Sequence, residues 1–127
     1  MVQNNKRGRK DYRRNIADLK SAILFKKPVF SKKPRSPKWR KVRSNHLKAF
    51  NQCVACGAKT SLEVHHIIPY QLDPSLELDP NNLMTLCESK SRCHWIIGHL
   101  LNWRSYNPKA MDDAMAFRLK IINRPVV

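Results

Sequence analysis

The sequence predicts an α+β fold in which two short strands and several helices surround a metal-stabilised core, behind a basic N-terminal arm. Three observations support this prediction. The chain has 127 residues, enough for one domain with a modest core and extensions. Its four cysteines form two local pairs, a pattern typical of zinc ligands. Positive charge is concentrated at one end, with a net charge of +14 over residues 1–45 and +2 over the rest.

The arm spans residues 1–37 and is expected to combine one short helix with a proline-rich linker. Between residues 11 and 25, apolar side chains recur at helical spacing, and these are Tyr12, Ile16, Leu19 and Ile23. Prolines in the lysine-rich segment that follows favour extended backbone. Clustered Lys and Arg favour a nucleic-acid partner, because binding releases condensed counterions. A solubilising tail is the alternative, and a membrane partner is disfavoured because the most basic parts contain few large apolar residues.

The body, residues 38–127, is predicted to contain two strands between helices. Ser36 and Pro37 are typical of a helix start. The segment Leu62–Ile68 reads as a strand, two Asp-Pro pairs predict a loop over residues 70–82, and Leu83–Leu86 reads as a second strand. Two further helices are expected, one from Cys93 to about Trp103 and one from Asn107–Pro108 that places on one side Met111, Ala114, Met115 and Leu119.

The cysteine pairs Cys53-x₂-Cys56 and Cys87-x₅-Cys93 predict a structural zinc site. Four thiolates close the coordination sphere, whereas a catalytic zinc keeps a position open. The N-terminus lacks the apolar core of a signal peptide and no apolar run is long enough to cross a bilayer, so a reducing, cytoplasmic location is expected. In that setting zinc ligation is favoured over disulfides, and free buried cysteines are the alternative.

Four of the five histidines lie between or just after the cysteine pairs. His65 and His66 are neighbours on the first predicted strand and therefore point to opposite faces. His94 directly follows the last cysteine, so the zinc site would fix its position. A strand histidine and a helix histidine are thus predicted to meet at one divalent ion. Hydrogen-bonded imidazoles at the edge of the core are the alternative, and His46 is assigned no role.

At these residues the chain resembles the HNH nuclease family, whose fold is the ββα-metal fold. The resemblance covers about residues 39–100 and is carried by Cys53-x₂-Cys56, by residues 62–69 and 82–87, and by Cys93-His94. Residues 98–108 are similar to small phage-encoded members. The resemblance implies that His66 is the general base, that His65 and His94 bind the catalytic ion, and that Asn82 steadies the loop and the base. A neutral imidazole, with a pKa of about 6.5, can accept a proton at physiological pH.

The chain departs from the family pattern in two places. Family members commonly have two residues between the last two cysteines, and here there are five, which we expect to bulge outward. Some members use a second helix histidine four residues after the first, but here that position is Gly98 and His99 follows it. Five residues turn an ideal α-helix by about 140°, so His99 is a candidate ligand only if the helix start is irregular.

The leading hypothesis is therefore a metal-dependent DNA endonuclease that hydrolyses phosphodiester bonds. It implies a structural zinc ion, a catalytic Mg²⁺, Mn²⁺, Ni²⁺ or Zn²⁺ ion, DNA as partner, and phage packaging or other DNA-processing proteins as further candidates. The residues expected to contact DNA are Lys32, Lys33, Arg35, Lys38, Arg40, Lys41 and Arg43. The alternatives are a non-catalytic zinc module that binds nucleic acid and a ribosome-associated or other RNA-binding protein. Neither alternative needs the set His65, His66, Asn82 and His94.

Overall fold

The structure is a computed structural model, and it describes residues 34–127. The predicted helix of the arm, together with Lys32 and Lys33, lies outside the described residues. Within those residues the elements in chain order are helix α1 (Trp39–Ala49), strand β1 (Leu62–His66), strand β2 (Leu83–Cys87), a π-helical segment (His94–Gly98) and helix α2 (Ala110–Ile122). No helix of this part is long and apolar enough to cross a membrane.

The two strands form an antiparallel sheet that carries the core. Its register pairs His65 with Met84 and His66 with Leu83. All five residues of β2 are buried, because the strand lies between β1 and the elements that pack around it. The buried cluster joins Met84 and Leu86 to alanines of α2 and to three of the cysteines. The predicted small α+β fold with a four-cysteine cluster is confirmed.

Helix α1 begins at Trp39, slightly after the predicted start at Ser36 and Pro37, and a turn over residues 37–38 leads into it. The Ser36 hydroxyl accepts a hydrogen bond from the backbone N–H of Lys38 (3.2 Å), and the Ser36 carbonyl accepts one from the N–H of Trp39 (3.1 Å). No residue of α1 is fully buried. Its attachment to the sheet includes an ion pair between Arg43 Nη2 and Glu63 Oε2 at 2.9 Å.

The loop between the strands is ordered by the two Asp-Pro pairs that predicted it. Each begins a single 3₁₀ turn, Pro74–Leu76 and Pro80–Asn82, with proline in the first position. The carboxylates of Asp73 and Asp79 accept hydrogen bonds from the backbone N–H two residues later, as N-capping side chains do. The second turn places the buried Asn82 directly before β2.

Two predicted helices differ from those in the structure. The predicted helix from Cys93 to about Trp103 is wrong in type and length, because the chain forms a π-helical segment that ends at Gly98. Leu100 and Leu101 then adopt positive φ angles of 52° and 66°, which no helix accommodates. Helix α2 buries Ala110 and Ala114, whereas Met115 and Leu119, predicted on the same side as Ala114, are 55% and 59% exposed.

Candidate active site

The four cysteines meet at one point, because the two strands bring their loops together. Their sulfur atoms all lie within 4.8 Å of one another, and none is in a disulfide. The Sγ atoms of Cys56 and Cys87 are 3.5 Å apart. Tetrahedral zinc with Zn–S bonds of about 2.3 Å separates its sulfurs by about 3.8 Å, so the cluster fits a zinc ion. The turn after Cys53 closes through hydrogen bonds to Gly57 and Ala58, and Gly57 supplies the positive φ of 79° that the turn requires.

A second cluster consists of His65 on β1, His94 at the start of the π-helical segment and His99 just after it. Each histidine contributes one ring nitrogen to the cluster, and these three nitrogens lie within 4.8 Å of one another. The ring centroids are separated by 5.0, 5.0 and 4.9 Å and the rings meet edge to face. His65 is 2% exposed, and its buried Nε2 has no hydrogen-bond partner. A buried nitrogen without a partner is costly, and coordination of a metal ion would remove that cost.

In this second cluster, burial favours the neutral form of His65 and of His99. Burial lowers the pKa of His65 to about 3, and the neighbouring His94 and His99 act in the same direction. Burial also lowers the pKa of His99. Since a metal ion binds the neutral imidazole, His65 and His99 are in the protonation state that coordination needs.

Two of the three rings are oriented by hydrogen bonds at their outer nitrogens. His94 Nδ1 lies 2.8 Å from Glu88 Oε1, and His99 Nδ1 lies 2.8 Å from the Ser105 carbonyl oxygen. Both oxygens accept only, so each Nδ1 carries the hydrogen and each Nε2 keeps a lone pair. This is the arrangement that metal-binding histidines usually have.

The π-helical segment explains how a histidine five residues after His94 reaches the cluster. The N–H of His99 donates to the His94 carbonyl at 3.1 Å, a hydrogen bond that spans five residues. This bond widens the turn relative to an α-helix, whose hydrogen bonds span four residues, and His99 therefore lies on the same side as His94. Gly98 makes room for this turn, since a Cβ atom there would lie 3.0 Å from Cε1 of His65.

His66 points away from this cluster, as its place on the strand requires. Its Nε2 lies 2.9 Å from the Glu77 carbonyl oxygen, and its ring lies 4.4 Å from the Trp39 ring, centroid to centroid. Because a carbonyl oxygen only accepts, Nε2 carries the hydrogen and Nδ1 is left as a proton acceptor. Burial lowers the pKa of His66, which keeps the ring neutral at physiological pH.

Asn82 holds together the two ends of the loop between the strands. Its Oδ1 accepts from the N–H of Ile68 at 2.8 Å, and its Nδ2 donates to the carbonyls of Ile68 and Leu76 at 3.0 and 3.2 Å. The side chain thus fixes the backbone two residues after His66 and directly before Glu77. None of these bonds reaches the three-histidine cluster.

The predicted DNA-contacting residues within the described chain have different surroundings. Lys38, Arg40 and Lys41 are exposed along α1. Arg43 is paired with Glu63. Arg35 lies over the Tyr70 ring, 4.6 Å from its centroid, and its Nη1 is 3.4 Å from Oε2 of Glu77.

Two functional candidates were not predicted from the sequence. Glu77 is 3% exposed, and besides orienting His66 it accepts a hydrogen bond from the N–H of Ser36 at 2.8 Å. Nothing in the local sequence marks it, because its role depends on a loop folding back on the arm. Glu88 binds His94, and the signal that marks it is its place directly after a cysteine of the zinc pattern.

One comparison with known proteins found a similarity, to a family model that covers both clusters. Residues 53–99, which contain both clusters, His66 and Asn82, match the model of the HNH endonuclease family. Searches of curated proteins and of solved structures found no match to the chain.

Proposed function

We propose that the protein is a metal-dependent endonuclease that hydrolyses phosphodiester bonds in DNA, because residues 53–99 match the model of the HNH endonuclease family and carry the site described above. One observation supports the proposal most directly. A single strand presents His65 to the three-histidine cluster and His66, with Nδ1 free, to the opposite side. A protein that only binds nucleic acid needs neither the histidine cluster nor a histidine with a free proton-accepting nitrogen.

In the proposed reaction His66 is the general base. Its Nδ1 takes a proton from water, whose oxygen forms a bond to phosphorus as the bond from phosphorus to the 3′ oxygen breaks. The Glu77 carbonyl, 2.9 Å from Nε2, holds the ring in the required tautomer and stabilises the imidazolium that forms. Asn82 fixes the backbone that carries this carbonyl, through its bond to Leu76. Asn82 is therefore a positioning residue for His66, acting through the backbone at Glu77.

His65, His94 and His99 are proposed to hold the catalytic ion. A divalent ion with three protein ligands keeps a position open, and when bound it neutralises charge on the phosphate and on the leaving 3′ oxygen. Nitrogen ligands with an open position suit Mn²⁺, Ni²⁺ and Zn²⁺ and allow Mg²⁺. The four cysteines are proposed to hold zinc for structure alone, since four thiolates leave no position for substrate.

The exposed cations of α1 are proposed to contact the DNA backbone. Lys38, Arg40 and Lys41 are exposed in or beside the first turn of α1, the turn whose Trp39 packs on His66. Arg35 is held beside His66 by Glu77 and Tyr70 and keeps about half of its side chain exposed (48%). These positions supply affinity and orientation without reading bases.

The proposal is tested by incubating the purified protein with supercoiled plasmid and Mg²⁺, Mn²⁺, Ni²⁺ or Zn²⁺, with EDTA as control. We expect nicked or linear product with at least one ion and none with EDTA. Retention of plasmid in a binding assay without cleavage under any ion would favour the non-catalytic zinc module.

Removal of one ligand of the catalytic ion should weaken ion binding and leave DNA binding in place. For His65→Ala or His94→Ala we expect metal affinity to fall by more than the roughly 10- to 100-fold that removal of an outer hydrogen-bond partner costs. Excess ion should partly restore cleavage. Calorimetric titration with Ni²⁺ measures the affinity, and filter binding measures the DNA affinity. An unchanged Ni²⁺ affinity in both variants would contradict the three-histidine site.

Removal of the arm should reduce affinity for DNA through charge. Deleting residues 1–33 removes eleven Lys and Arg residues and two Asp residues and keeps the anchored segment that begins at Pro34. The plot of log affinity against log salt should become shallower by about 0.9 for every phosphate that the truncated protein no longer neutralises. Salt-dependent binding measurements on both proteins give the two slopes, and equal slopes would show that the arm does not bind phosphates.

A further inference from the structure

The segment between Cys87 and Cys93 contains a carboxylate that touches the three-histidine cluster. Glu88 Oε1 lies 2.8 Å from Nδ1 of His94. The other residues of the segment include Lys90, Ser91 and Arg92, which are exposed, so most of the segment does project outward. The side chain of Glu88, the first residue of the segment, instead points toward His94.

Both partners of this contact are fixed by the fold. Glu88 directly follows the zinc-cluster residue Cys87, and His94 directly follows Cys93. The backbone N–H of Glu88 donates to the Ser61 carbonyl at 2.8 Å, which extends the pairing of the strands by one residue. The chain then returns through a turn closed by the N–H of Arg92 and the Ser89 carbonyl, at 2.9 Å. The meeting of carboxylate and imidazole therefore follows from the backbone path, although the Glu88 side chain is 47% exposed.

The contact determines which nitrogen of His94 is available. A carboxylate accepts hydrogen bonds and cannot donate, so Nδ1 carries the hydrogen and the lone pair stays on Nε2. An ionised acceptor also increases the basicity of the ring toward a metal ion. For His99 the same task falls to a backbone carbonyl, which no substitution removes. Between these two ligands, His94 is the one oriented by a side chain.

We propose that Glu88 is a positioning residue for the catalytic ion: it fixes the tautomer and direction of His94 and thereby raises the affinity of the three-histidine site for a divalent metal. The inference rests on the proposed function of that site. It assigns to the segment between the last two cysteines a role in metal binding, beyond that of a spacer.

The test compares variants of Glu88 with a variant of a matched carboxylate. Glu63 has similar exposure (42%) and also forms one ion pair, with Arg43, but does not contact the histidines. The full zinc-loaded chain is titrated with Ni²⁺ as probe by calorimetry, and retention of zinc is checked by elemental analysis. For Glu88→Ala we expect binding weaker by about 10- to 100-fold. Glu88→Gln should lose less, because its amide oxygen still accepts, and Glu63→Ala should match the wild type.

A second measurement reports the tautomer without any added ion. Long-range ¹H–¹⁵N spectra of the imidazoles at a pH of about 8, above the ordinary histidine pKa, should show His94 protonated at Nδ1 in the wild type and in Glu63→Ala. In Glu88→Ala the Nε2-protonated form should gain population, which a merely structural role would not cause. Ni²⁺ affinity within about twofold of wild type in Glu88→Ala, or an equal decrease in Glu63→Ala, would overturn the inference, since an outer partner is expected to contribute at least about tenfold.

The same measurements separate this inference from the proposed function. Titration and spectra need no DNA, so a protein that binds Ni²⁺ in a Glu88-dependent way but never cleaves plasmid refutes the nuclease and supports the role of Glu88. Cleavage that is unaffected in Glu88→Ala at limiting ion refutes the role of Glu88 and supports the nuclease.

Discussion

We expect replacement of His66 by alanine to lower the rate of plasmid cleavage by about 10²- to 10⁴-fold, the usual cost of losing a general base. The substitution removes the proposed proton acceptor. It leaves the four-cysteine and three-histidine clusters in place, since His66 faces the Glu77 carbonyl and the Trp39 ring. Affinity for DNA and for Ni²⁺ should stay near the wild-type values. Single-turnover cleavage at saturating ion measures the effect.

His46→Ala is the matched control for this experiment. His46 is also a partly buried histidine whose pKa is lowered by burial, but its ring packs against Phe50 and lies in neither cluster. We expect its cleavage rate to equal that of the wild type. Cleavage by His66→Ala at the wild-type rate would remove the general base from the proposal and would favour a zinc module that binds without catalysis.

The pH dependence of the wild-type rate supplies a further arm of the same experiment. Burial lowers the pKa of His66 from 6.5, and the nearby positive charge of Arg35 acts in the same direction. The active form is the neutral one, so activity should be complete above pH 6.5 and should disappear as pH falls through the lowered value. The acidic limb should persist at several saturating ion concentrations and be absent from the residual rate of His66→Ala.

We expect replacement of Cys87 by serine to abolish zinc binding and the cooperative thermal transition together. The cysteines are part of the buried core, with Cys53, Cys87 and Cys93 all nearly inaccessible. Zinc-finger peptides gain an apparent free energy of about 10–16 kcal/mol from structural zinc, which is comparable to the whole stability of a small domain. Elemental analysis and circular dichroism on heating measure the two effects. Ser91→Ala, an exposed change in the neighbouring segment, should keep one zinc equivalent and the wild-type melt.

A variant at Cys87 that retains a full zinc equivalent and melts as the wild type would contradict four-thiolate ligation. A variant that releases zinc but keeps its melt would instead show that the hydrophobic packing of Met84 and Leu86 suffices for the core.

The features that the sequence predicted well are those that depend on local chemistry. The two cysteine pairs, the neighbouring histidines on one strand and the Asp-Pro turns each occupy a few consecutive residues, so their spacing is visible without the fold. His65 and His66 face opposite sides because strand geometry leaves no other arrangement. The α+β class followed from the predicted strands and helices, and the ββα-metal fold followed from the resemblance to the HNH family.

The features that the sequence did not predict depend on contacts between distant segments. The orientation of His66 is fixed by Glu77, eleven residues away, and by Trp39 on another element. The π-helical segment has no distinctive composition, and a regular α-helix would have put His99 on the wrong side. In helix α2 the spacing of apolar residues predicted one shared face, but on that face Met115 and Leu119 remain exposed.

The buried carboxylate of Glu77 has a consequence for how such a protein can be assembled from parts. Together with Tyr70, whose hydroxyl donates to the Pro34 carbonyl at 2.6 Å, it ties residues 34–36 to the loop that carries the His66 acceptor. The described residues therefore begin at a point that is held beside His66. Under the proposed function, such a junction would separate targeting from chemistry: another DNA-binding segment could replace the sequence before Pro34, and the geometry around His66 would be kept.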